Sequence, residues 1–201
     1  MFDRYINVKA WYCLKQLPVI FQEEDSMYCV RAQNSIDTST NWWCKLFSLC
    51  ENSRFKVLND ARRGWVGGER VYKNLYGVVV DPENPAKISL GLPILPPVLG
   101  GPYWIIEAGT YVDLLKGKMT FNDSSTYEWA LVSGGDPRFP SNGRCMTGIP
   151  GEGHHGFWFL SVNPTPKEGV LSALDNLARL HGYDTTVMVP VQHEGCIYDD
   201  Y

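Results

Sequence analysis

The residues of this chain that could do chemistry are its six cysteines, its four histidines and a few carboxylates set among apolar neighbours. His154 and His155 are adjacent, and adjacent residues of an extended chain point opposite ways. They read as part of a solvated Gly-rich loop rather than as joint ligands of a metal ion. His193 and Cys196 stand three apart, a spacing that alone specifies no metal site. No C-x-x-C occurs, which disfavours a zinc ribbon or a thioredoxin-type centre. A G-x-S-x-G elbow, a P-loop and an H-E-x-x-H helix are all missing from the sequence. Asp37, Glu107 and Glu128 have no evident partner and read as surface or rim carboxylates. The expectation is a protein without a metal centre that is not an enzyme. An even count of six cysteines instead points to an oxidising compartment: the secretory path, a periplasm or an organelle lumen. Cys44 and Cys50 cannot bridge if the chain between them is one straight strand, because six residues then span roughly 20 Å, against about 7 Å between bridged Cα atoms.

The elements that must position these residues follow from composition and pattern. Hydrophobic residues make up 44% and aromatic residues 13% of the 201 positions, enough for one domain with a real core. The 18 basic and 22 acidic residues give a net charge of −4 with no basic run, so no nucleic-acid partner is expected. No apolar stretch reaches the roughly 18 residues of a membrane-spanning helix. The first residues resemble neither a signal nor a transit peptide, so an exported protein would be a mature or trimmed form. Short runs rich in Val, Ile, Tyr and Trp predict antiparallel strands at 11–17, 28–36, 55–59, 69–80, 87–90, 103–108, 127–133 and 157–162. Residues 42–49 are apolar and ambiguous. Pro18, Gly64, the Gly67-Gly68 pair and the turn from Asp81 to Pro85 punctuate the runs.

One helix follows the strands. Thr165 can cap it, Pro166 suits its first position and Glu168 completes a T-x-x-E capping box, predicting a helix over about 166–181. Val170, Leu171, Leu174, Leu177, Ala178 and Leu180 form its apolar stripe, and Gly182 is placed to end it in a left-handed conformation. Two segments, 112–125 and 136–153, read as long insertions. Many strands followed by one amphipathic helix fit a barrel with the helix packed on its outside.

At this point the sequence resembles the lipocalins. Trp11-Tyr12, followed by Leu17-Pro18 and Phe21, is similar to the family's opening segment, and the runs at 55–59, 68–90, 103–106, 129–134 and 157–161 are similar to its later strands. Leu92-Pro93-Ile94-Leu95-Pro96, Ala130 to Gly134, His181-Gly182-Tyr183-Asp184 and Cys196 resemble the plastid lipocalins of plants and algae. Two positions depart from the family's pattern. Lys9 stands where a Gly precedes the Trp, and Val162 stands where an Arg usually packs over it, so the barrel floor must close differently.

The resemblance implies an eight-stranded antiparallel up-and-down β-barrel over about 10–162, a helix outside it and a tail over 183–201, all in one domain of residues 1–201. It implies a thylakoid-lumen setting, with secretion as the alternative, and a Cys29–Cys196 disulfide. Cys13 and Cys145 then remain, either paired with each other or with Cys13 as a free reactive thiol. A cavity in such a barrel would hold a carotenoid, chlorophyll or lipid against Trp11, Tyr103, Ile105, Trp129, Leu131, Phe157 and Phe159, although a one-residue register error would invert the assignment. The proline-rich run with Leu92, Ile94, Leu95, Val98 and Leu99 is either a lip that touches a membrane or partner, or a loop folded back over the barrel. Asn122-Asp123-Ser124 is a glycosylation sequon if the chain is secreted. Three functions follow: a carrier of a hydrophobic molecule in plastid photoprotection or membrane-lipid protection, an accessory subunit of a photosystem–antenna supercomplex, and, with less support, a relative of the xanthophyll de-epoxidases.

Overall fold

The computed structural model describes residues 2–36, 54–94, 96, 99–118, 126–153 and 155–198. The ambiguous run at 42–49, Asp37, Cys44, Cys50, Leu95, Val98, the Asn122 sequon and His154 lie outside the described residues. Alternating β-rich runs form the strands β1 (Ala10–Gln16), β2 (Tyr28–Ile36), β3 (Arg54–Arg62), β4 (Arg70–Val79), β5 (Lys87–Gly91), β6 (Gly101–Gly109) and β7 (Trp129–Ser133). They are followed by the short hairpin β8 (Phe139–Ser141) and β9 (Arg144–Met146), then β10 (Phe157–Ser161) and β11 (Val189–Pro190). Strands β1 to β7 and β10 pair antiparallel in sequence order, and β10 returns to pair with β1, which closes an eight-stranded barrel. The β3–β4 ladder runs unbroken from Arg54↔Val78 to Arg62↔Arg70. Gly77 is required there because the Phe55 ring lies 2.2 Å from where its Cβ would be.

Antiparallel order puts the connections 17–27, 63–69, 92–100 and 134–156 at one end, the mouth. The connections 80–86 and 110–128 lie at the other end, the floor, together with helix α1 (Phe2–Ile6). The first predicted insertion contains a short helix, α2 (Tyr111–Leu115), and the second contains the β8–β9 hairpin.

Helix α3 (Val170–Leu180) packs outside the barrel, burying Val170, Leu174, Leu177 and Ala178 against Leu14, Trp129, Leu131, Phe157 and Phe159. It starts four residues later than the capping box implied. Its N-cap is Gly169 at φ 86°, and Thr165 is held instead by Asn163, whose Oδ1 accepts from the Thr165 backbone N–H at 2.9 Å. A side chain that offers the backbone a turn competes with helix initiation, and here it wins. Leu171 and Leu180 of the expected stripe are exposed. The far end behaves as expected, with Gly182 at φ 84°.

Candidate ligand-binding site

The floor is built from the N-terminal helix. Tyr5 of α1 stacks on Trp11 with ring centroids 5.0 Å apart, and Trp11 Nε1–H donates to the Tyr5 carbonyl at 3.2 Å. The Tyr5 hydroxyl meets that of Tyr103 at 2.5 Å, and Phe2 packs edge-on against Phe55. The Arg4 guanidinium lies 5.9 Å from the Tyr127 ring centroid. The departure at Val162 is thereby accounted for: a phenol supplied by α1, rather than an Arg, covers the face of the Trp11 ring.

Above the floor the barrel is not sealed. Ala32, Val71, Leu75, Leu90, Tyr103 and Trp158 pack on the inner cluster yet remain only half-buried. Apolar inner-face residues that keep solvent contact outline a cup, the usual form of a small-molecule site. Tyr103 and Trp158, with centroids 5.8 Å apart, form its aromatic side. Between them and the wall lie two polar groups. The Cys13 thiol donates to Gln16 Oε1 at 3.3 Å, while Gln16 Nε2 meets no acceptor among the described residues. Burial drives the Cys13 thiol and the Tyr103 and Tyr5 phenols up, so all three are neutral at physiological pH.

Near the mouth the wall is completed by the tail. β2 pairs with β1 only from Ala10 to Tyr12, and β11 takes over at Lys15 and Gln16. The Cys29 N–H donates to the Gln192 carbonyl, and the Gln192 N–H to the Met27 carbonyl, so the tail also bonds to β2. Val189 and Val191 from this wedge join the inner cluster. A Cys29–Cys196 disulfide fastens it, as the resemblance implied. His193 Nε2–H donates to the Cys13 carbonyl at 2.8 Å, which leaves Nδ1 to accept from the Tyr198 hydroxyl. Burial holds the His193 pKa below its ordinary value and keeps the ring neutral.

The structure divides the expected cavity residues. Trp11, Tyr103 and Ile105 face the interior. Trp129, Leu131, Phe157 and Phe159 do not: they lie on the outer face against α3, so the inward assignment for β7 and β10 is inverted. Every residue of β7 is buried, so alternation there carries no directional signal. The indole of Trp129 is also anchored outward, donating to the Thr110 carbonyl at 2.9 Å. On β6 a bulge between Ile105 and Glu107 turns Glu107 outward, where its carboxylate meets His181 Nε2 at 2.7 Å. Glu128 accepts from the Tyr111 N–H at 2.8 Å, so neither carboxylate is the unpartnered surface group expected. Cys13 and Cys145 are both free thiols rather than a pair, and Cys13 is buried and neutral rather than reactive. His155 Nδ1–H donates to the Gly134 carbonyl, and among the described residues no group of three His, Cys, Asp or Glu could hold a metal ion. Leu92, Ile94 and Leu99 are exposed at the mouth, not folded back over it. Sequence reasoning missed Tyr5, Gln16, Leu75 and Trp158. Trp158 sits one position from an assigned residue, and Tyr5 stands three positions after Phe2 in a segment with helical spacing.

No family model matches the sequence, and no curated protein matches it. Solved structures do. Apocrustacyanin A1 from lobster superposes with a TM-score of 0.55 at 15% identity, covering 94% of this chain and 79% of that one. Insecticyanin from the tobacco hornworm Manduca sexta gives 0.53 at 13% identity, covering 96% and 82%. The siderocalin Ex-FABP gives 0.51 at 10% identity, covering 96% and 95%. The fold is that of the lipocalins. Within that lipocalin fold the phenol-capped floor and the tail wedged into the wall bound the inner face of this chain.

Proposed function

We propose that this lipocalin-fold chain binds a small hydrophobic molecule in the cup above Tyr103 and Trp158. The carrying observation is the contrast along the barrel axis. The floor is packed shut by Phe2, Tyr5 and Trp11, whereas Ala32, Val71, Leu75, Leu90, Tyr103 and Trp158 stay half-buried on the inner face. Covering their exposed apolar surface gains about 25 cal/mol per Å², less the cost of association. The siderocalin neighbour is described as functioning through dual ligand specificities, which fits a binding role for the fold. Carotenoid, chlorophyll and lipid are the candidate ligands. The disulfide supports an oxidising compartment, and within that class we place the protein in the thylakoid lumen, in photoprotection or membrane-lipid protection, with secretion as the alternative. Native mass spectrometry of the protein purified from its source is expected to show a bound apolar molecule. A uniformly ligand-free mass, with no quenching of tryptophan fluorescence by added polyenes, overturns the reading.

A second reading, docking of the mouth on a membrane or on subunits of a photosynthetic assembly, is favoured by one observation. Residues 88–106 contain no charged side chain, and their loop presents Leu92, Ile94 and Leu99 at the same end of the barrel as the exposed Trp65 and Phe21. Leu92→Asp with Ile94→Asp is expected to abolish co-sedimentation with thylakoid-lipid vesicles. Unchanged sedimentation rules this surface out.

A further inference from the structure

We infer that the cup takes a single-chain amphiphile with an anionic head, and that Lys73 at the mouth receives that head; this rests on the binding role proposed above. The register decides where Lys73 points. On β4, Lys73 stands opposite Asn59, and its neighbours two positions away, Val71 and Leu75, both pack on the inner cluster. Side chains two apart on a strand share a face, so Lys73 and Asn59 belong to the inner face. Lys73 lies three residues from Arg70, where β4 leaves the mouth.

Among the described residues its ammonium group has no carboxylate within ion-pair distance. The contact it makes is with an aromatic ring: Nζ lies 5.0 Å from the centroid of Phe21. Phe21 belongs to the β1–β2 connection, and that connection is tied to the far side of the mouth by hydrogen bonds from the Ile20 N–H to the Gly153 carbonyl and from the Gly151 N–H to the Pro18 carbonyl. The Lys73–Phe21 contact therefore crosses the opening. Asp60, Asp25 and Glu107 are engaged elsewhere, and the exposed Glu23, Glu24, Glu69 and Glu152 lie on the mouth connections rather than on the inner face. Asp60 points to the outer face, bonded to Arg31 at 3.0 Å and Arg70 at 2.7 Å, and Asp25 pairs with Arg63 at 3.3 Å. Glu107 is turned outward by the β6 bulge. Among the described residues the inner face thus carries a cation and no carboxylate, above a wall of Val71, Leu75 and Leu90.

A cation over an exposed ring gains little, about 0.5–1 kcal/mol, so Lys73 gives up little in exchanging the Phe21 ring for an anionic head. The chain below it would cover Leu75, Leu90 and Trp158. A neutral ligand gains nothing from Lys73, and a cationic one is repelled.

The test uses cis-parinaric acid and its methyl ester, two fluorescent probes that share one chain and differ in head charge. Wild-type protein is expected to bind the acid about fivefold more tightly than the ester at low salt, a ratio that corresponds to ~1 kcal/mol. Lys73→Gln is expected to bring the acid down to the ester's affinity while leaving the ester unchanged, and Lys73→Arg to keep the preference. Lys73 is exposed, so neither substitution threatens folding. Equal affinities for acid and ester in the wild type, or a preference that survives Lys73→Gln, overturn the head-group assignment while leaving the binding role intact. Binding of neither probe counts against both.

Discussion

Gln16 shows how a single residue separates a structural group from one that costs stability. Its side chain is fully buried, its carbonyl oxygen accepts from a weak thiol donor, and its amide nitrogen donates to nothing described. A buried donor without a partner costs about 1–3 kcal/mol relative to its solvated state. Gln16→Met, which keeps the volume and removes the amide, is therefore expected to leave urea unfolding unchanged or to raise stability by ~1 kcal/mol. A loss of more than ~1 kcal/mol would mean that the amide is bonded in solution. This cost could not be read from the sequence, because Lys15-Gln16 at the end of a strand looks like an ordinary polar edge. The inner position of Gln16 follows from the irregularity between Cys13 and Lys15, which shifts the alternation of β1. The same limit applied on β6, where the bulge at Ile105 turned Glu107 toward His181.

At the scale of elements, the strands and their order were legible because most runs of β-branched and aromatic residues are bounded on at least one side by Gly or Pro. What failed was orientation. β7 and β10 are buried on both faces, one by the barrel interior and the other by α3, so the period-2 pattern that distinguishes inside from outside is absent. The helix stripe was legible, but its start was not, because Asn163 captures Thr165. Beyond α3, the β8–β9 hairpin is fastened by Asp184, whose carboxylate accepts from Ser141 and Asn142 of the hairpin and from Thr186 in its own loop. Burial opposes ionisation of Asp184, but these hydrogen bonds outweigh it and hold the pKa down to about 2. A carboxyl depressed below its unfolded value near 3.9 contributes stability above that pH and loses it as the pH falls toward 2. Asp184→Asn is therefore expected to cost about 1–3 kcal/mol at pH 6 and clearly less at pH 2.5, measured by urea unfolding at the two pH values. An equal cost at both would show that ionisation of Asp184 does not stabilise this junction.

For the whole molecule, the eight-stranded barrel with an outer helix was anticipated, but the means by which the barrel is sealed was not. The resemblance supplied the Cys29–Cys196 pair and its tie between the tail and the second strand, but not the gap that the tail fills. The structure supplies it: the bridge joins residues 167 apart and holds β11 in the gap where β2 leaves β1. Replacing both cysteines with Ala is expected to cost on the order of 4 kcal/mol, since the loop closed is long. Amide exchange of Val191 and Gln192 should then accelerate more than that of the β3–β4 ladder. Uniform acceleration across the barrel would show that the wedge is not a separable part of the wall.

The wedge also governs when the protein can be finished. A chain leaves the ribosome from its N-terminus, and β1 and β2 emerge first, yet the seam between them is filled by residues 189–192 and fastened by Cys196. β1 and β2 must therefore wait for residues 189–196, with an unpaired edge open until those residues have been made. Closure of this seam is thus coupled to oxidation of Cys29 and Cys196. A ribosome-tethered chain ending before residue 189 should stay susceptible to protease at the β1–β2 connection, and the released chain should become resistant once the thiols have been oxidised.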